Sequence, residues 1–273
     1  METKRLADYN VYDDSIVKIT NCNGILDVLY LSSRNNDIRT QKINKDEYVV
    51  LDTGEILEYK HTINRSEDLG SIRESIKNLR NLINNNFTGG KNELWITLTF
   101  DKNKIYNPSE LCPIFEKFIK RLRYKLNPLK IDYIYVPEPH EKGDWHIHLL
   151  LKADKKLYIS NKDLNILWSH GHVKVNRLKD VDNVGAYVSA YLIDIKEGEQ
   201  TKKGARLYLY PPNHKLYRAS KGIKKPESFF TKYSEVKNNL DSKFLTFKNT
   251  LHIETPDGFE STIHHEYYNL NKK

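Results

Sequence analysis

The chain has 273 residues, 38% of them hydrophobic and 29% charged, so it can bury a sizeable core beneath a polar surface. Cys22 and Cys112 are far apart and form no C-x-x-C pair, which argues against a disulfide framework and a zinc–thiolate site. The net charge of +8 favours a polyanionic partner, and because no apolar run reaches the about 20 residues that cross a bilayer, we expect a soluble cytoplasmic protein with no membrane partner.

Predicted strands and helices alternate along most of the chain. Residues 14–60 combine short apolar–polar alternations with Asn-Gly and Thr-Gly turns, which predicts a few strands, and residues 66–86 carry leucines and isoleucines at helical spacing. The elements predicted next are a strand at 94–100, a helix at 107–126, strands at 131–136 and 145–152, a helix at 161–170, a strand at 172–178, a helix at 181–195 and, from 237 on, one helix or a hairpin.

This order of elements predicts an α+β fold of ferredoxin-like character, in which a central antiparallel sheet is flanked by helices. An N-terminal extension of strands and one amphipathic helix would occupy residues 1–90. The central domain would span residues 91–200, and a basic C-terminal region would span residues 201–273.

The most distinctive motif is a pair of histidines in the strand predicted at 145–152. Because side chains alternate between the two faces of a strand, His146 and His148 project together while Ile147 faces the opposite layer. Two neighbouring imidazoles suit a divalent metal, although they could also make ordinary hydrogen bonds or face solvent.

A carboxylate upstream favours the metal hypothesis. Glu138 closes the preceding strand, and Gly143 supplies the turn back into the histidine strand. Antiparallel neighbours joined by so short a loop would bring Glu138 close to the histidine pair and leave coordination positions for a phosphate oxygen and water. His140, in the same loop, is open between a phosphate contact and a surface residue.

Two tyrosines are candidate nucleophiles. Tyr187 and Tyr191 are four residues apart on the helix predicted at 181–195, so their hydroxyls share one face. In a chain with 18 tyrosines they could equally be amphipathic aromatics at the edge of a core. A phenol with an ordinary pKa near 10 needs help to attack phosphorus, and a metal that polarises the phosphate would supply part of it.

The combination of these motifs resembles the HUH endonuclease superfamily. The matching elements are Thr97-Leu98-Thr99-Phe100, the run from Glu138 to His148, and the pair Tyr187 and Tyr191, and the likeness covers about residues 94–196. It is strongest to the two-tyrosine replication initiators of small single-stranded DNA phages and to related plasmid Rep proteins. The resemblance implies a ferredoxin-like HUH core in which Glu138, His146 and His148 hold Mg²⁺ or Mn²⁺.

The resemblance also implies a reaction. Tyr187 would attack a phosphate of a single-stranded or hairpin origin, leaving a 5′-phosphotyrosine link and a free 3′-OH for the host DNA polymerase, and Tyr191 would serve the second cleavage. Related proteins often carry a lysine at the places of Ala190 and Asp194. Neither residue is basic here, and Lys196 is the candidate replacement.

A basic segment follows the predicted tyrosine helix. Between residues 202 and 225 lie eight lysines and arginines, interleaved with tyrosines, and no acidic residue. Cations and aromatic rings suit phosphates and unstacked bases, so we expect DNA contacts here. Together with His140 and Lys196, the predicted DNA-contacting residues are Lys202, Lys203, Arg206, Lys215, Arg218, Lys221, Lys224 and Lys225.

Other histidine pairs and other functions are also compatible with the sequence. His170 and His172 straddle a predicted helix end, and the adjacent His264 and His265 would face opposite sides of a strand, so both pairs are predicted to be structural. No G-x-x-x-x-G-K-[ST] loop is present, so a helicase of the bacterial host would open the duplex. The alternative functions are an HUH transposase or relaxase and, from a different class, a non-catalytic origin-binding repressor.

Overall fold

The computed structural model describes residues 2–36, 38–101, 103–140, 142–178, 184–185, 204–256 and 258–272. In this part of the chain the strands are β1 (Glu2–Arg5), β2 (Ile16–Cys22), β3 (Ile25–Leu31), β4 (Thr40–Lys42), β5 (Glu47–Val50), β6 (Ile56–Glu58), β7 (Glu93–Leu98), β8 (Ile131–Pro139), β9 (Trp145–Ala153), β10 (Val173–Asn176), β11 (Arg218–Ala219), β12 (Glu227–Lys232), β13 (Leu245–Glu254) and β14 (Glu260–Asn269). The α-helices described are α1 (Leu69–Asn86), α2 (Leu111–Leu126), α3 (Asn161–Trp168) and α4 (Tyr233–Asn239).

The chain divides into two compact units. The first is made of Met1–Thr20, Leu26–Ile63 and Ser228–Leu270, and the second of Asn21–Ile25, Asn64–Glu227 and Asn271–Lys273. The functional boundaries predicted near residues 90 and 200 rest on motifs, not on compactness, and stay a prediction.

The second unit is built on a five-stranded antiparallel sheet in the order β10-β7-β9-β8-β11. Residues two apart on a strand share a face, so Ile147, Leu149 and Leu151 of β9 point to one side. Together with Phe115, Phe118 and Leu122 of α2 they form the larger core cluster. The opposite face carries Ile134 and Leu150, which pack against Leu79 and Ile83 of α1. The predicted α+β class and the antiparallel sheet between helices are therefore confirmed.

Local signals explain where the helices of this unit begin and end. Asp68 caps α1 by accepting a hydrogen bond from the Ser71 main-chain N–H, and Ser160 caps α3 in the same way through the Asp163 N–H. A 3₁₀ turn over Pro108–Glu110 leads into α2. The helix predicted at 161–170 ends earlier, at Trp168, because Ser169 adopts a left-handed conformation with φ of 59°.

The first unit combines segments from both ends of the chain. Its six-stranded sheet has the order β1-β13-β14-β3-β2-β12, and a separate three-stranded sheet has the order β4-β5-β6. Tyr233 and Val236 of α4 pack on this unit's core against Val17 and Val28. Of the two alternatives predicted for the C-terminal tail, the hairpin is the one observed, as β13 and β14. None of the helices described is both long and apolar enough to cross a membrane.

Candidate metal centre

Two neighbouring strands bring the predicted ligands together. β8 and β9 are antiparallel in a register that pairs Glu138 with His146 and Val136 with His148. Directly paired residues project from the same face of a sheet, so the carboxylate and both imidazoles lie on one side. The turn between the strands closes with the Gly143 N–H donating to the His140 carbonyl at 2.9 Å, and Gly143 has a φ of 83°, a conformation that favours glycine.

Three ligand atoms converge on one point. The Nε2 atoms of His146 and His148 are 2.9 Å apart, and Glu138 Oε2 lies 2.8 Å from His148 Nε2 and 3.4 Å from His146 Nε2. In an octahedral site with bonds of about 2.1 Å, adjacent donors are about 3.0 Å apart. The triangle of atoms therefore fits one face of a divalent-cation coordination shell. Among the residues described, no other group of histidine, cysteine or carboxylate side chains converges in this way.

The cluster is buried, which matters for its chemistry. Glu138, His146 and His148 are each less than 8% exposed. His148 Nδ1 lies 3.3 Å from the Thr97 hydroxyl of β7, which leaves Nε2 as the nitrogen directed at the cluster. His146 Nδ1 is buried with no hydrogen-bond partner among the described residues, and the His140 ring stacks on His146 with centroids 4.1 Å apart.

Burial and neighbouring charges shift the ionisation of these groups. Burial lowers the pKa of His146, and a hydrogen bond to Glu138 only partly offsets this effect. Burial also lowers the pKa of His140, with His146 adding to the shift. Burial would raise the pKa of Glu138, but hydrogen bonds from His146 and His148 outweigh it and hold the pKa far below its ordinary value. The cluster thus combines an anionic carboxylate with imidazoles that favour the neutral form, as metal ligation requires.

Two side chains distant in sequence hold the end of β8. The Tyr210 hydroxyl donates to the Pro137 carbonyl at 3.0 Å, and Arg206 Nη1 donates to the Pro139 carbonyl at 2.9 Å. Arg206 Nη1 also lies 3.6 Å from Glu138 Oε1, the carboxylate oxygen that does not face the histidines. Both residues therefore help to orient Glu138 from the outer edge of the strand.

Part of this arrangement was not predicted from the sequence. Thr97 was noted only as part of a strand motif, and Tyr210 only as a tyrosine within the basic segment. Their contacts depend on strand register and on a loop that returns about 70 residues later, which no local pattern displays. Arg206 was predicted to contact DNA, and the structure places it beside Glu138.

Several predicted site residues lie outside the described part of the chain. These are Tyr187, Tyr191, Lys196, Lys202 and Lys203. The remaining members of the predicted DNA-contacting set have exposed side chains, namely Lys215, Arg218, Lys221, Lys224 and Lys225. Among the described cations of the basic segment, Arg206 is the one within 4 Å of Glu138.

The other histidine pairs have structural surroundings. The main-chain carbonyls of His170 and His172 accept hydrogen bonds from Asp101 and Thr99 just beyond the end of β7. His264 hydrogen-bonds to the buried Glu266, whereas His265 bonds to Asp27. Neither pair belongs to a group of three convergent ligands within the described ranges.

Comparison with known proteins identified one family. No curated protein and no solved structure matched the chain. Residues 93–196, from the first residue of β7 to a point beyond β10, match the model of the replication-associated protein family ORF2, so the segment that holds Glu138, His146 and His148 is similar to that family of replication-associated proteins.

Proposed function

We propose that this protein is a metal-dependent DNA-nicking initiator of rolling-circle replication, with an HUH core of ferredoxin-like character. The observation that carries the proposal is the convergence of Glu138 Oε2 and two histidine Nε2 atoms within 3.4 Å of one another. The match of residues 93–196 to replication-associated proteins supports the same conclusion from the sequence.

The residues present fit a divalent cation. Three ligands from one sheet face would occupy three positions of an octahedral shell, and a mixed carboxylate and imidazole set suits Mg²⁺ or Mn²⁺. When bound, the cation would polarise a phosphate and neutralise charge that develops on its oxygens. Thr97 and Arg206 would keep the two ligand strands in place, because each contacts the ligand atom that faces away from the cluster.

Tyr187 is the proposed nucleophile. Its phenolic oxygen would form a bond to phosphorus, the bond from phosphorus to the 3′ oxygen would break, the phenol would lose its proton, and the 3′ oxygen would gain one. The phosphodiester is thereby conserved as a 5′-phosphotyrosine, which a later 3′-OH could attack. Tyr191 would repeat the attack in the second cleavage, and the nicked strand would require a host helicase and polymerase to continue.

A covalent-adduct assay tests the proposal. Single-stranded oligonucleotides that tile the DNA flanking the gene would be incubated with the protein and Mn²⁺, and adducts would be resolved on a denaturing gel. The double variant Tyr187→Phe/Tyr191→Phe should form no adduct. Tyr124→Phe/Tyr158→Phe is the matched control, because both tyrosines are more than three-quarters exposed and lie on α2 and in the loop before α3.

Each result has a defined meaning. An adduct that survives in the Tyr187/Tyr191 double variant would contradict the nucleophile assignment. A wild-type protein that forms no adduct on any oligonucleotide but binds duplex origin DNA would instead favour the origin-binding repressor. His146→Ala/His148→Ala should abolish cleavage and leave DNA binding in EDTA intact, since these side chains would contact the cation and not the bulk of the DNA.

A further inference from the structure

A second candidate site lies on the sheet face opposite the metal cluster. Side chains alternate along β8, so Tyr133 and Tyr135 point away from the face that carries Glu138. On their side, two cavities of about 570 and 460 Å³ lie between α2 and residues 211–219. Each volume lies within the about 300–1,000 Å³ typical of ligand sites. We call the two cavities together the edge groove.

The two cavities are joined. Both are lined by Cys112, Tyr135, Lys215 and Arg218, which therefore mark the junction between them. A site of two connected chambers suits an extended ligand with a repeating unit better than one compact molecule. The junction is also the point at which the positive charge is concentrated, because the two cations are there.

The cations at the junction are available to a ligand. Lys215 and Arg218 have exposed side chains, and neither forms an ion pair with a carboxylate of the described residues. Glu116 is the acidic residue in the lining, and it belongs to the first cavity alone, where its Oε1 is 3.6 Å from Cys112 Sγ. An anionic group would therefore be attracted to the junction and disfavoured at the Glu116 end.

Each cavity offers surfaces for a planar ring. Tyr133 and Tyr217, both half-buried, line the first cavity, and the Arg123 guanidinium lies over the Tyr133 ring at 5.9 Å. The second cavity is lined by prolines that include Pro211 and Pro212, and by the exposed Asn213, whose amide can pair with the edge of a base. Aromatic rings beside available cations are the combination that binds single-stranded nucleic acid.

We infer that the edge groove binds a dinucleotide segment of single-stranded DNA, with one base in each cavity and the linking phosphate between Lys215 and Arg218. This inference rests on the proposed function for the identity of the polyanion, and adds a second contact, on the other face of the sheet from the cluster. It also divides the basic segment, because Lys215 and Arg218 line the groove whereas Lys221, Lys224 and Lys225 do not.

Fluorescence anisotropy with a labelled oligo-dT of about 20 nucleotides tests the groove. The measurement is made on the full chain in EDTA, so that it does not depend on the proposed metal chemistry. Lys215→Ala/Arg218→Ala should weaken binding on the order of 10-fold at low salt, and should reduce the slope of log affinity against log salt by about 1.4, the value for two lost phosphate contacts.

Two comparison variants make the same change in charge. Lys117→Ala/Lys120→Ala removes two exposed cations from α2, and Lys221→Ala/Lys225→Ala removes two from the basic segment outside the groove. We expect each to weaken binding by about 2-fold or less, because diffuse charge is screened by salt. Equal losses in all three double variants would overturn the inference in favour of non-specific attraction.

Photo-crosslinking supplies an independent readout. An oligonucleotide that carries 5-iodouracil should crosslink to a peptide with Tyr133 or Tyr217, since crosslinking requires a stacked ring. Crosslinks found only elsewhere would contradict the groove. Failure here is distinguishable from failure of the proposed function, because adduct formation with Mn²⁺ is scored separately and does not use these residues.

Discussion

The substitution Glu138→Gln tests the metal centre with the least disturbance to the fold. It removes the carboxylate charge but keeps the side-chain volume and one oxygen acceptor. Removing both histidines instead would leave a buried carboxylate with Arg206 as its described cationic contact, and breaking a buried charge pair costs about 3–5 kcal/mol. Glu138→Gln should therefore change metal binding far more than it changes the stability of the metal-free protein.

The size of the effect follows from mass action. A cation that binds only the folded state at 100 times its dissociation constant stabilises the protein by about 2.7 kcal/mol. Loss of a direct carboxylate ligand should weaken binding by about 100-fold, the upper end of the range for groups that merely support a ligand. The same Mn²⁺ concentration would then stabilise the variant by about 0.4 kcal/mol. For a unit of this size, the Mn²⁺-induced rise in Tm should fall from about 5–11 °C to about 1–2 °C.

Tryptophan fluorescence reports on the correct part of the chain. The three tryptophans, Trp95, Trp145 and Trp168, all belong to the second unit, which also holds the metal centre. Thermal unfolding followed by this signal, with and without Mn²⁺, therefore measures the unit of interest even if the two units unfold separately. His170→Ala/His172→Ala is the matched control, because it removes a second His-x-His pair and should leave the Mn²⁺ shift unchanged.

The reasoning would be refuted by an unchanged shift. If Mn²⁺ raises the Tm of Glu138→Gln as much as that of the wild type, the cation does not bind at this cluster. A loss of the shift in the His170/His172 control would refute it as well, since the cation would then have a different site. A wild type that shows no shift at saturating Mn²⁺ would contradict the metal assignment itself.

Three further outcomes are expected. Thr97→Val, which removes the hydroxyl 3.3 Å from His148 Nδ1, should weaken Mn²⁺ affinity by about 10–100-fold in titration calorimetry, and an affinity equal to that of the wild type would show that this contact does not support the ligand. Arg206→Ala should destabilise the second unit by about 1–3 kcal/mol in denaturant unfolding followed by tryptophan fluorescence, with Arg206→Lys recovering part of the loss; equal stability of all three proteins would show that the contacts of Arg206 with β8 contribute nothing. Burial raises the pKa of Glu266, but hydrogen bonds from its neighbours, His264 first, lower it from 4.5 to about 2, so the stabilisation it provides is present above pH 4.5 and is lost as the pH falls toward 2. Glu266→Gln should flatten that acid limb in far-UV circular dichroism, by about 3 kcal/mol at neutral pH, and an unaltered limb would contradict the assignment.

The local pattern of the sequence was sufficient to predict the secondary structure around the site. Period-two alternation located β7, β8 and β9, and the spacing of the histidines placed both imidazoles on one face. The predicted strand at 131–136 was too short, however, since β8 continues to Pro139. Two prolines ordinarily indicate the end of a strand, and they are tolerated here because their nitrogens need no partner at the strand's outer edge.

Long-range contacts could not be predicted in this way. The N-terminal strands were expected to form an extension of their own, but β1 pairs with β13 and joins the C-terminal hairpin in one sheet. The contact between Thr97 and His148 arises from the register of β7 with β9, and that of Tyr210 with Pro137 from a returning loop. Such pairings depend on the whole fold and leave no periodic signal along the chain.

The two prolines beside Glu138 also limit how the sheet can grow. β11 pairs with β8 only at Ile134 and Tyr135, and beyond that point neither Pro137 nor Pro139 has an N–H to offer to another strand. A further chain cannot extend the ladder there, so this edge is protected from β-strand addition and from edge-to-edge aggregation. Replacing both prolines with alanine would restore two donors next to the carboxylate, and self-association of the protein through this edge is the expected cost.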